Sequence, residues 1–137
     1  MDPVVRLTPY DEIVEIFVRA LEDEQVPIEG AYWVYEDEDK WRLYLVQKPL
    51  PEGVVLSTRE LVKRYMDLFG QITEVKSRLL DRMPDLDDVI IRLVGPENAV
   101  VQAFAKFHHI GPDAPKKVSF LNAETAYIER ALILKAA

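Results

Sequence analysis

The chain has no cysteine among its 137 residues. That one absence removes disulfides, thiolate nucleophiles and cysteine-ligated zinc together. Histidine is nearly as scarce, at two residues, so a zinc ion here would have to draw its remaining ligands from carboxylates. The five glycines are scattered, with no Gly-x-Gly-x-x-Gly and no phosphate-cradling loop, which excludes the common nucleotide fingerprints. Ser57, Ser77 and Ser119 are the only serines, and none sits in Gly-x-Ser-x-Gly. No cofactor and no metal is therefore expected. Met1 is followed by Asp2-Pro3 with no basic or apolar leader region, and no apolar run approaches the roughly 20 residues of a membrane span. These absences together give the expectation of a soluble, cytoplasmic protein without a membrane partner.

What is present is an acidic chain of one-domain length, with 1–137 read as a single unit. Its formal charge of −7 is unevenly spread: residues 1–40 carry −9 and the remainder +2. A nucleic-acid binder concentrates cations on one face, and a pI near 4.9 opposes that. A basic stretch does exist at Arg59, Lys63, Arg64, Lys76, Arg78 and Arg82. Pairing with the acidic third, within the chain or across a homo-oligomer, is favoured over an anionic partner.

Thr8-Pro9-Tyr10-Asp11 opens a helix, with Thr8 as cap and Pro9 at the first helical position. Ile13, Phe17, Ala20 and Leu21 carry its apolar side to about residue 25, before Pro27. Tyr32–Tyr35 and Trp41–Val46 are aromatic and branched, as strands are. With Glu36–Asp39 as the loop, Val34 faces Trp41 and Tyr32 faces Leu43. Tyr32, Val34, Trp41, Leu43 and Leu45 then form the core side, and a one-residue slip would exchange the two faces. Ser57-Thr-Arg-Glu60 is a capping box. It starts a helix over 58–82 whose stripe is Leu61, Tyr65, Leu68, Ile72, Val75, Leu79 and Met83, with Gly70 a potential kink. Val89–Val94 reads as a strand. Glu97 to His109 reads as a helix with Val100, Val101, Phe104 and Phe107 inward, stopped by Gly111-Pro112. Val118–Leu121 is a strand, and Ala126–Leu134 is read as a strand over a helix capped at Asn122. The predicted order α-β-β-α-β-α-β-β gives an α+β fold: a mainly antiparallel sheet of about five strands with three helices.

Trp33 through "EDEDKWRLYLV" and the closing "AETAYIERALI" resemble stretches of small bacterial proteins with no assigned activity. In those, an aromatic-flanked polar turn precedes a Trp-Arg-Leu strand, and a Tyr-Ile-Glu segment lies near the C-terminus. The resemblance covers about a quarter of the chain. It implies a strand at the C-terminus and carries no catalytic motif.

Two places invite functional readings. Glu36, Asp37, Glu38 and Asp39 lack the alternating carboxylates, central glycine and distant glutamate of a calcium loop, so a solvated turn is the plain reading and docking of a basic protein the functional one. The second hairpin face, Trp33, Tyr35, Arg42 and Tyr44 with Lys40 at its rim, holds the residue types that dominate interface hot spots, and Arg42 over Trp33 would make a cation–π pair. A helix covering that face would instead make it a second core layer. The sequence thus points to a non-enzymatic protein-binding or adaptor domain, acting through the acidic third and the aromatic hairpin face. The competing reading is a small metal- or ligand-dependent enzyme using His108, His109 and Asp113. Adjacent residues on a helix diverge by about 100°, so the histidines do not readily share one ligand sphere, and a helix-end role is favoured.

Overall fold

A computed structural model describes residues 8–37, 40–105, 116–122 and 126–135. Helix α1 spans Asp11–Asp23, strand β1 Ile28–Asp37, β2 Lys40–Gln47, and helix α2 Thr58–Leu80. A 3-10 turn at Pro84–Asp88 precedes β3, Ile90–Val94. Helix α3, Ala99–Ala105, is followed by β4, Lys116–Asn122, and β5, Tyr127–Lys135.

The α+β class stands, but the sheet is mixed, which corrects part of the expectation. Its order is β3-β2-β1-β5-β4. β1 pairs antiparallel with β2 and with β5, and β4 pairs antiparallel with β5. β3 pairs parallel to β2, with Arg42 opposite Ile90 and Leu45 opposite Leu93. The reason is topological: α2 carries the chain back to the starting edge of β2, and a strand entered after such a crossover runs parallel. The expected C-terminal strand forms as β5, Tyr127–Lys135, paired antiparallel with both β1 and β4, with Ala131 and Ile133 buried on one face and Leu132 on the other.

Both faces of the sheet are covered. Val14, Phe17, Val18 and Leu21 of α1 and Leu68, Ile72 and Val75 of α2 pack on Ala31, Trp33, Leu43, Leu45, Leu93 and Leu132. On the other face Val101, Ala103 and Phe104 of α3 pack on Tyr32, Val34, Tyr44, Val46, Ile128, Ala131 and Ile133. The Phe104 ring lies flat on Tyr32, centroids 4.4 Å apart.

The helix ends follow from local chemistry. The capping box forms as the spacing of Ser57 and Glu60 requires, each side chain bonding the other's backbone N–H. α1 begins two residues later than Thr8-Pro9 suggests. The Thr8 hydroxyl accepts from the Tyr10 N–H and donates to Asp11 Oδ1, 2.7 Å away. α1 ends in a left-handed residue, Gln25 at φ 58°, with the Val26 N–H bonded to the Leu21 carbonyl and the Gln25 N–H to Glu22. α2 passes through Gly70 as continuous helix and stops at Leu80, short of Pro84. Among the described residues no helix is long and apolar enough to cross a membrane.

Candidate functional site

The hairpin register differs by one residue from the expected pairing. Tyr32 faces Tyr44, Trp33 faces Leu43, Val34 faces Arg42 and Tyr35 faces Trp41, with an irregularity between Tyr35 and Asp37. Every assignment on β2 therefore changes side. Trp33 and Tyr44, expected on one shared face, are 2% and 5% exposed and lie in opposite core layers. The proposed Arg42–Trp33 stack does not form. Trp33 instead stacks on Trp41 at 5.6 Å and donates its indole N–H to Thr8 Oγ1 at 3.1 Å, buried. Tyr35 meets Trp41 edge-on at 5.6 Å. The helix-covered alternative is the one realised.

Glu36 is not part of a free acidic tip. Its Oε2 accepts the Tyr44 hydroxyl at 2.5 Å, and its Oε1 accepts from Arg92 Nη2 at 2.9 Å and lies 3.7 Å from Arg42 Nε. Partial burial pulls this carboxyl upward, but the hydrogen bonds from Tyr44 and Arg92 and the two guanidinium charges outweigh it and hold the group below its ordinary range. Burial, then the Glu36 hydrogen bond, pushes the Tyr44 hydroxyl up to about 12. The arrangement neutralises a carboxylate at the edge of the α3 layer. Asp37 lies opposite Lys40 in the backbone register of the hairpin, while Glu38, Asp39, His108, His109, Asp113 and the expected inward Phe107 lie outside the described residues. The basic stretch is partly absorbed internally: Arg78 binds the Glu24 carboxylate at 2.5 Å, Arg64 donates to the Lys48 carbonyl and Lys76 to that of Val89. Among the described residues no group of three or more His, Asp or Glu side chains could hold a metal ion.

The surface that the sequence did not announce is on α2. Leu61 and Tyr65 continue the buried stripe of Leu68, Ile72 and Val75, yet they stand 43% and 37% exposed. The core beneath the helix ends at Leu68, so the first two turns project past it. Beside them Val62, Met66 and Phe69 are 56%, 61% and 40% exposed. Tyr65 and Phe69 stack on each other at 6.1 Å. Five large apolar side chains thus form one open patch, of the kind that marks an interaction site. Val54 and Val55, just ahead of the helix, are open as well.

A groove of about 500 Å³ adjoins this patch. It lies where the parallel strands β2 and β3 both end, between Gln47–Leu50, Gly95–Glu97 and the α2 residues Leu61, Val62, Arg64 and Tyr65. The Glu97 side chain folds back over Gly95 so closely that a Cβ there would clash with the carboxylate. No family model, curated protein or solved structure matches the chain.

Proposed function

We propose that this chain is a non-enzymatic protein-binding domain that meets its partner through the uncovered N-terminal half of α2. The observation that carries this reading is the patch of Leu61, Val62, Tyr65, Met66 and Phe69, large apolar side chains left open on a helix that buries its apolar stripe only from Leu68 onward. Leaving that area in water is unfavourable by roughly 25 cal/mol per Å², and covering it is the driving force of most protein association.

The reading keeps the class expected from the sequence and moves the contact. Of the hairpin aromatics Tyr32, Trp33, Trp41 and Tyr44 are committed to the two core layers, and Glu36 is already paired with Arg92 and Tyr44. A purely electrostatic capture of a basic protein by the hairpin tip therefore gives way to an apolar contact with charged flanks, the usual anatomy of an interface.

The test is site-specific photo-crosslinking in the native host, with the probe amino acid at Met66 and, as control, at the exposed Glu52. A discrete protein adduct at position 66 and none at 52 is the expected result. A folded chain that gives no adduct at 66 above the control overturns the reading.

A further inference from the structure

We infer that the occupant of the α2 face is a second copy of this chain, its α2 packed antiparallel to the first. The inference rests on the protein-binding reading above and adds the partner and its orientation.

The first observation is the spacing of the exposed side chains. Val62, Met66, Phe69 and Thr73 follow one another at intervals of four, three and four residues. At 100° per residue they keep to one line along the helix, the spacing of a two-helix seam. All four are exposed. This line is separate from the stripe of Leu68, Ile72 and Val75 that faces the core, so α2 carries two apolar faces and the fold uses one.

The second observation is charge. Arg59 and Lys63 lie on the flank of the open seam that turns away from the core, and Glu74 lies on the same flank toward the other end of the helix. All three are exposed. Two copies side by side in parallel would instead set this flank against the opposite, core-side flank of the other copy, the one that carries Leu61 and Tyr65 and offers Arg59 and Lys63 no carboxylate. Two copies related by a two-fold axis near residues 67–68 run antiparallel, and each flank faces its own counterpart end to end. Met66 then meets Phe69 of the other copy, Val62 meets Thr73, and Glu74 comes between Arg59 and Lys63, about 3 Å along the axis from each level. Both long side chains span that offset. The contact is isologous and closes after two copies, as most homo-oligomers do. Glu74 also lies near Arg78, but the Arg78 guanidinium is held by Glu24.

The third observation is Gly70, on the same flank at mid-helix. An ideal Cβ built there meets nothing within 4 Å, so no packing inside the chain calls for glycine, although glycine weakens the helix by about 1 kcal/mol relative to Ala. Val54 and Val55, the latter 91% exposed, lie ahead of α2 and extend the apolar area past the seam toward the second copy's C-terminal half of α2. A stable interface needs this extension, because roughly 800 Å² per partner is typical.

Sedimentation equilibrium of the purified full chain over a concentration series tests this directly. The expected result is a reversible dimer that Met66→Glu converts to monomer. Arg59→Glu with Lys63→Glu should weaken the dimer by about tenfold or more, as should Glu74→Lys, because each puts like charges across both flanks. The three substitutions combined restore opposite charges in the antiparallel register and should return the dissociation constant to within about threefold of the parent. Circular dichroism confirms that each variant is folded. A parent that stays monomeric at every concentration, or a folded triple variant as weak as its components, overturns the inference. The crosslink at position 66 separates the two levels: an adduct of twice the chain mass supports the second copy, and an adduct of another mass beside a monomeric parent leaves the protein-binding reading standing and removes this one.

Discussion

Tyr44, on β2, donates its hydroxyl proton to Glu36, on β1, across 2.5 Å, and that bond ties the rim of the hairpin to the Arg92 side chain of β3. Three strands are thus linked by one carboxylate. The linkage gives the pair opposite responses to pH. The Glu36 carboxyl is held below its ordinary range, so its contribution is present above the unfolded value and is lost as pH falls through the folded one. The Tyr44 hydroxyl is raised to about 12, so its contribution is complete below pH 10 and is lost as pH rises toward 12. Tyr44→Phe should cost about 1 kcal/mol at neutral pH, allowing for the solvent around Glu36. It should also flatten the decline in stability between pH 10 and 12. Urea melts at pH 7, 10 and 11.5 on parent and variant measure both.

Trp33→Phe should destabilise by about 2 kcal/mol, from the lost hydrogen bond to Thr8 and the space left by the smaller ring. The indole N–H is the donor that ties β1 to the turn ahead of α1. Protection of the α1 amides in hydrogen exchange should fall with it, since the same Thr8 hydroxyl accepts the Tyr10 N–H just ahead of that helix and donates to Asp11 in its first turn. Exchange measured residue by residue distinguishes this from a uniform loss.

Gln25→Gly should stabilise the chain by about 1 kcal/mol, although it places glycine beside a helix. Gln25 sits at φ 58° in the left-handed region, where a side chain is penalised and glycine is not. The rise in thermal midpoint on a dilute sample is the readout.

Gly70→Ala should also stabilise, by about 0.5–1 kcal/mol, for the opposite reason. Gly70 lies within continuous helix and a Cβ there has open space, so Ala gains helix propensity without a clash. The same dilute thermal melt measures it, and at dilution the gain reports the single chain.

These pairs show what kind of information the sequence holds. The Ser57–Glu60 capping box was legible because its chemistry is local: two side chains and two backbone amides, all within four residues. The stop of α1 was legible in place, ahead of Pro27, but not in form, because Gln25 is an unusual occupant of a left-handed position and only the backbone angle reveals it. The hairpin was legible as a hairpin but not in register. Register is read from the contrast between an apolar and a polar face, and here Tyr32, Trp33, Val34, Leu43, Tyr44 and Leu45 are buried on both sides. The parallel run of β3 was hidden too, since the direction of a strand after a long helix depends on where that helix leads. For α2, periodicity gave the angle of Leu61 and Tyr65 around the axis correctly. It could not say that the core stops at Leu68, because periodicity carries no record of how far along a helix its support extends. That missing length is the candidate binding surface.

The central place of β1 has a consequence for how the chain comes to be folded. Its two neighbours are β2, the next segment made, and β5, the last strand, with Trp33 paired to Leu43 on one side and to Leu132 on the other. During synthesis one edge of β1 closes almost at once, while the other waits for about a hundred further residues. Through that interval an aromatic strand, Ala31 to Val34, presents an open row of amides and carbonyls to anything nearby. A nascent chain halted before Tyr127 would therefore be the form most prone to aggregate, and the arrival of β5 is the step that makes the domain safe to release.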